Sequence, residues 1–173
     1  MMRIAMVEPE NEPAELKAVF DQLRATRGRV PGMYRTLAHQ PAILAAHRAY
    51  FHAALDAGVL PRPFMEKIAW KTARLCGSEY SSGSHYRYAL KHGVTADELT
   101  AIGSGDYAGL PPREAAALRF AEAIITGQGR VDDVVYAAMQ SHFNAAEIVE
   151  ITALTGIMQL ASLLGAVFEL APD

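Results

Sequence analysis

The sequence predicts an all-α protein, and three observations support this fold class. Apolar residues recur three and four positions apart along most of the chain, which is the spacing of one face of an α-helix. Alanine and leucine supply much of the 51% hydrophobic content, and both are strong helix formers. No segment alternates between apolar and polar residues for long enough to predict a β-strand. At 173 residues the chain is expected to form a single domain, residues 1–173, with a buried core.

Proline and glycine set the boundaries of the first four predicted helices. Proline is favoured in the first turn of a helix, and glycine is favoured just beyond its last turn. A turn at residues 30–32 separates the first helix from the second. The predicted helices run from Leu16 to Leu23 with a stop at Gly28, from Pro41 to Leu55 with a stop at Gly58, from Phe64 to Leu75 with a stop at Gly77, and from Ser81 to His92 with a stop at Gly93.

Capping patterns mark the helices in the second half of the chain. Thr95 with Glu98, and Asn144 with Glu147, match the capping box, in which each residue bonds the other's backbone N–H. The first pair predicts a short fifth helix, and the second opens the long last one. Between them a sixth helix is expected from Arg113 to Thr126 and a seventh from Asp132 and Asp133 onward.

Composition excludes several classes of function. The formal net charge is −3, so no strong positive field is available to hold nucleic acid. Cys76 is the only cysteine and cannot form an internal disulfide, so nothing indicates an oxidising compartment. The most apolar stretch, 148–170, contains Glu150 and Glu169 and predicts a core or interface helix rather than a membrane span. We therefore expect a cytoplasmic protein without a membrane or nucleic-acid partner.

The residues whose side chains are best suited to a chemical reaction lie between Glu66 and His85. Ser78 and Ser81 are three residues apart, and His85 follows Ser81 by four, so the three side chains share one side of a helix. Glu66 lies one helix earlier and is expected to face them. From the residues alone, ordinary roles stay open: Ser78 as a helix N-cap, Ser81 as a first-turn serine, His85 as a core histidine and Glu66 in a surface ion pair.

This stretch resembles the signature of the alkyl hydroperoxidase D and carboxymuconolactone decarboxylase superfamily. That signature has Glu, eleven residues, Cys-x-x-Cys, three residues and then His. Here Glu66 is followed by eleven residues, then by Ser78-Glu79-Tyr80-Ser81, three residues and His85. The resemblance covers about residues 30–170, with 12–28 as an N-terminal helical extension. It implies an alkyl hydroperoxidase D-like helical array with a central antiparallel helix pair.

The two cysteine positions of the signature are both serine in this chain. In the peroxidase branch the cysteine pair is the redox couple, and a serine hydroxyl can neither act as a thiolate nor form a disulfide. Dithiol peroxidase chemistry is therefore not expected. The decarboxylase branch also lacks the pair, although the serines at 81 and 82 differ from its usual acidic and aromatic residues.

The resemblance implies a carboxy-lyase acting on a small carboxylated lactone or keto acid. In this interpretation His85 is the acid or base, Glu66 orients it, and Ser78 and Ser81 donate hydrogen bonds to a developing oxyanion. Two alternatives stay open: a non-catalytic small-molecule binding or scaffold protein, and a one-cysteine hydroperoxidase that uses Cys76. The candidate substrate-binding aromatic residues are Tyr34, Trp70 and Tyr80, each of which could instead be a core residue.

The remaining expectations concern partners and bound groups. His47 and His52 are five residues apart, which is a poor spacing for one helix face, so we expect no metal site and no cofactor. The family resemblance implies a homo-oligomer, either a trimer or a hexamer. Gly156 and Gly165 lie within the last predicted helix and indicate close helix packing, either within the chain or against a second subunit.

Overall fold

The computed structural model describes residues 3–172, which form an array of α-helices with no strand in that range. The helices are named α1 to α9 in chain order. Two short 3₁₀ turns precede α1, and a π-helical turn, His52–Asp56, continues α3. The helices are α1 Lys17–Arg27, α2 Gly32–Leu37, α3 Pro41–Phe51, α4 Arg62–Leu75, α5 Glu79–Lys91, α6 Ala96–Ser104, α7 Pro112–Thr126, α8 Asp133–His142 and α9 Ala145–Val167.

The all-α prediction is confirmed, and the structure adds one short helix and one irregular turn. Helix α2 begins at Gly32, where the sequence predicted only a turn, and the amides of Tyr34 and Arg35 bond the Pro31 carbonyl. A helix of six residues is too short to show a periodic pattern in the sequence. The second predicted helix was extended to Leu55, but its last residues form the π-helical turn instead. Both capping boxes are present.

Helix α4 is the centre of the fold. It packs most extensively against α5, which follows after a turn of only three residues, and these two helices are the expected central antiparallel pair. Helix α4 also packs on α7 and α9. Because it has neighbours on all sides, most of its residues are buried, including the polar Glu66, Lys67 and Lys71.

The two buried lysines of α4 are paired, as a buried charge requires. Lys67 Nζ donates to Glu98 Oε1 of α6 at 2.9 Å and to Glu114 Oε2 of α7 at 2.6 Å. Lys71 Nζ donates to the carbonyl of Ile102 at 3.2 Å. These contacts tie α4 to α6 and α7, and so hold the central helix in a fixed position relative to its neighbours.

The N-terminal helices share a separate part of the core with the end of α9. Leu16, Phe20 and Leu23 are almost fully buried and pack in one cluster with Leu44 of α3 and Ala161 of α9. Tyr80, near the start of α5, belongs to the same cluster. The packing places the C-terminal end of α1 beside α5, close to the residues that the sequence selected as a site.

Helix α9 is long and apolar enough to cross a membrane by length and composition, but this is weak evidence for a membrane span. The core helix of a soluble protein meets the same criteria, and 44% of its most apolar window is buried inside the fold. Gly165 faces inward, where an added Cβ would lie 3.6 Å from Ser78 Oγ, whereas Gly156 has no heavy atom within 4 Å of that position. The two glycines therefore have different surroundings.

Candidate active site

Glu66 of α4 and His85 of α5 form a buried pair at the interface of the central helices. The Nδ1 atom of His85 lies 2.7 Å from Glu66 Oε2. The Glu66 side chain is fully buried, and His85 is 6% exposed. The structure therefore brings these two residues of the sequence motif into direct contact.

An ionic network holds the second oxygen of Glu66. Arg62, one turn earlier on α4, donates from Nε to Glu66 Oε1 at 2.7 Å and from Nη2 at 2.5 Å. The same guanidinium pairs with Asp56 in the π-helical turn, and Asp56 also accepts from Arg48 at 3.3 Å. Both Glu66 oxygens are therefore fixed, and the carboxylate cannot rotate away from His85.

The electrostatic balance keeps Glu66 ionised. Burial acts to raise the pKa of this carboxyl, but the charges and hydrogen bonds of His85 and Arg62 outweigh burial and hold the pKa below its usual value. A carboxylate can only accept, so His85 Nδ1 donates to it. The other ring nitrogen, Nε2, makes no hydrogen bond to any residue between 3 and 172, and it remains available for proton transfer.

His85 borders a small cavity between α2, α3, α5 and α9. The volume is about 40 Å³, which exceeds the space of one water molecule but is smaller than a ring-sized ligand. Ser81 also borders this cavity, and its hydroxyl bonds no other described residue. The remaining lining is largely apolar or aromatic and consists of Arg27, Pro31, Met33, Tyr34, His47, Phe51, Tyr80, Ser84 and Ala161.

Sequence reasoning missed His47, a second histidine on the same cavity. It is 6% exposed, and neither ring nitrogen has a hydrogen-bond partner within the described residues. Burial, reinforced by the nearby Arg48 charge, lowers its pKa, so the ring is neutral near pH 7. The rings of His47 and Phe51 stack 6.3 Å apart, and Phe51 is 6.1 Å from the His85 ring. In the sequence His47 is one member of an apolar helix stripe, and nothing there indicates that it meets His85.

The other residues selected from the sequence divide into two groups. Tyr34 and Tyr80 do border the cavity, and Tyr80 accepts a 3.0 Å hydrogen bond from the Met33 amide. Ser78 does not border it, because its hydroxyl accepts from the Ser81 amide at 3.2 Å and caps α5. Trp70 lies in the core against Gly103 and Tyr86 instead. For Ser78 and Trp70, the geometry fits the structural roles left open from sequence.

Cys76 lies outside the lining of this cavity, in the turn that joins α4 to α5. Burial raises the pKa of its thiol. A nucleophilic cysteine needs the opposite shift, because the thiolate is the reactive form. Among residues 3–172 no group of three histidine, cysteine or acidic side chains could hold a metal ion.

Comparison with known proteins yields one family match. Residues 41–123 match the family model described as the carboxymuconolactone decarboxylase family. This range contains Glu66, Ser78, Ser81 and His85. No curated protein matches the sequence.

Several solved structures share the fold at low sequence identity. An alkylhydroperoxidase AhpD core protein from Ralstonia eutropha JMP134, described as an uncharacterized peroxidase-related protein, is 22% identical with a TM-score of 0.88, covering 99% of this chain and 92% of its own. The debrominase Bmp8, solved with 2,3,4-tribromopyrrole, is 19% identical with a TM-score of 0.88, covering 100% and 92%. A peroxidase-related protein from Silicibacter sp. TM1040 is 19% identical with a TM-score of 0.88, covering 99% and 91%.

Proposed function

Since the chain belongs to the carboxymuconolactone decarboxylase and alkyl hydroperoxidase D superfamily, we propose that it is a carboxy-lyase acting on a small carboxylated lactone or keto acid. The observation that carries the proposal is the buried Glu66–His85 pair beside a cavity that contains Ser81 but no thiol. The pair supplies a proton-transfer group, and the chain's one cysteine lies elsewhere.

The chemistry needs one proton and one site for negative charge. When the bond to the leaving carboxylate breaks, carbon dioxide departs and the electron pair stays on the adjacent carbon, delocalised into a neighbouring carbonyl as an enolate. In the proposal, Ser81 donates a hydrogen bond to the enolate oxygen. His85, as an imidazolium, transfers the Nε2 proton to the carbon, and solvent then restores that proton. Glu66 stabilises the imidazolium, as a buried carboxylate does for a catalytic histidine.

The size of the cavity limits what enters it. A volume of about 40 Å³ accommodates a carboxylate-sized group, so in the proposal only the reacting end of the substrate reaches His85. The same small volume favours the alternative of a non-catalytic binding or scaffold protein. The raised pKa of Cys76 argues against the second alternative, a one-cysteine hydroperoxidase.

Carbon dioxide release distinguishes these functions. We expect the purified protein to release carbon dioxide from at least one member of a panel of carboxylated lactones and β-keto acids. The Cys76→Ser variant should release it at the same rate, because the thiol takes no part. A scaffold protein would release none above the uncatalysed rate. A hydroperoxidase would instead consume an organic hydroperoxide in the presence of a small thiol, and would lose this activity in Cys76→Ser.

We also propose that the protein is a homo-oligomer. The outward face of α9 carries an apolar stripe in which Val149 is 67% exposed, Leu160 42%, Leu163 59% and Val167 45%. With the open Gly156 included, these positions follow each other at spacings of seven, four, three and four, which keeps them on one helix face. On α3, Ile43 and Tyr50 are also exposed. A second copy of the chain is the proposed partner, because the stripe is long enough to pack against itself.

The assembly proposal predicts that Leu163→Glu shifts the protein toward the monomer. A charge introduced in the middle of a buried apolar contact is left without a partner. The molar mass from light scattering coupled to size exclusion measures the shift. The exposed Val134→Glu change on α8, at 81% exposure, is the control and should leave the mass unchanged. A monomeric wild-type protein would refute the proposal.

A further inference from the structure

A basic cleft adjoins the His85 cavity on its outer side. It has a volume of about 230 Å³, and it is formed where the C-terminal end of α1 meets α5. Among residues 3–172 its lining contains four cationic side chains and no carboxylate, although the whole chain has a net charge of −3. The polar side chains that border the cleft are Arg27, Arg29, Ser84, Arg87, Tyr88 and Lys91.

Arg27 is held in this cleft by aromatic rings rather than by an acid. Its guanidinium lies 5.8 Å from the ring centre of Tyr34, 5.8 Å from that of Phe51 and 5.1 Å from that of Tyr88. It makes no ion pair and no hydrogen bond with any residue from 3 to 172. Ring faces attract the charge without using its N–H groups. The five donors of the guanidinium therefore remain available to a ligand.

The preference of cations for helix C-termini does not by itself account for this arrangement. Arg27 is in the last turn of α1 and Lys91 in the last turn of α5, where the helix dipole favours a positive charge. Each helix would satisfy that preference separately. Here the two ends converge, so that Arg27 and Lys91 border one cleft, and an anion bound there would reduce the repulsion between them.

The basic cleft and the His85 cavity are contiguous. Arg27, Pro31 and Ser84 border both of them. Phe51 and Tyr88, two of the rings around Arg27, also contact the His85 ring, with centres 6.1 and 6.3 Å away. A molecule bound in the cleft therefore lies beside the inner cavity and close to His85.

We propose that this cleft binds a carboxylate of a small organic anion, with Arg27 and Arg87 as the anchoring residues. A guanidinium matches the two oxygens of a carboxylate with two parallel hydrogen bonds, which is the strongest contact available to such a group. The carboxylate bound here is the one that anchors the molecule, and it is distinct from a group at His85. That this anion is the substrate rests on the proposed function, whereas the anion site itself does not.

Calorimetric titration with succinate tests the site without any turnover. Wild-type protein should bind succinate, and high salt should weaken the binding. Arg27→Gln and Arg87→Gln should each weaken it about tenfold, as expected for the loss of one charged hydrogen-bonding partner. Arg130→Gln removes the same charge from an exposed position outside the cleft and should have no effect. Arg87 is itself exposed, so its variant is expected to fold normally.

Four results would overturn the proposal: no saturable binding of succinate to wild type, equal binding by the Arg87→Gln variant, equal binding of the uncharged succinamide, or binding of inorganic phosphate without succinate.

Titration of the His85→Gln variant with succinate separates this proposal from the proposed function. The variant should still bind succinate, because the anion site does not depend on the proposed proton donor. Succinate binding by a protein that releases no carbon dioxide from any compound leaves the anion site standing and removes the lyase. Carbon dioxide release by a protein that does not bind succinate would support the lyase and remove the anion site.

Discussion

Replacing His85 by glutamine is expected to lower the rate of carbon dioxide release by about two to four orders of magnitude, the usual contribution of a general acid or base. Glutamine has a similar size and can still bond Glu66, but it cannot transfer a proton. The loss should therefore appear in kcat rather than in KM, because the bound substrate keeps its contacts. Steady-state rates on a substrate identified from the panel give both constants.

A matched control uses another histidine. His142 is exposed at the end of α8 and is not among the residues that line the cavity, so His142→Gln should keep the wild-type rate. If His85→Gln retained the wild-type kcat while releasing carbon dioxide, His85 would not be the proton donor. His47 would then be the next candidate, because it borders the same cavity and its ring nitrogens have no partner within the described residues.

Replacing Glu66 by alanine is expected to lower the free energy of unfolding by about 3 kcal/mol, the low end of the cost of breaking a buried ion pair. The low end of that cost applies because the side chain of Arg62, one of its partners, is 24% exposed and can be hydrated when Glu66 is removed. The other partner, His85, is left buried with an unbonded Nδ1. Urea denaturation at neutral pH measures the change. Glu15→Ala, at an exposed position before α1, should stay within about 0.5 kcal/mol of wild type.

The contribution of Glu66 to stability should also depend on pH. Its folded pKa is held below the ordinary value of 4.5, because the effects of His85 and Arg62 outweigh that of burial. A carboxyl whose pKa is lowered by folding stabilises the fold above its unfolded pKa and loses that contribution as the pH falls through the folded pKa. The difference in unfolding free energy between wild type and Glu66→Ala should therefore be full above pH 4.5 and should shrink in more acidic solution. A difference that grew on acidification would contradict the assignment of Glu66 as an ionised partner.

The spacing of Glu66, Ser81 and His85 was sufficient to predict that these residues lie close together between α4 and α5. Two helices joined by a short turn must run antiparallel, so residues at matching heights on α4 and α5 meet whatever the rest of the chain does. The helix boundaries were also readable, because prolines, glycines and capping boxes act locally. The short α2 was missed because six residues carry too little periodicity to be recognised.

The surroundings of the site could not be predicted in the same way. Arg27 and His47 reach the cavity from α1 and α3, and their positions depend on how those helices pack against α5 and α9. No motif links either residue to His85, and each fits an ordinary helical pattern. Ser78 was selected because its place in the family signature suggested a catalytic role. In the structure its hydroxyl caps α5.

The central claim is that Glu66 holds His85 with Nε2 free for proton transfer, and the tautomer of His85 tests it most directly. Long-range proton–nitrogen correlation spectra of ¹⁵N-labelled protein, recorded at a pH where the ring is neutral, report which nitrogen carries the proton. The account predicts a proton on Nδ1 and none on Nε2 in the wild type, and a mixture of tautomers in Glu66→Ala. A wild-type ring with its proton on Nε2 would contradict the account, because Glu66 would not then be accepting from Nδ1.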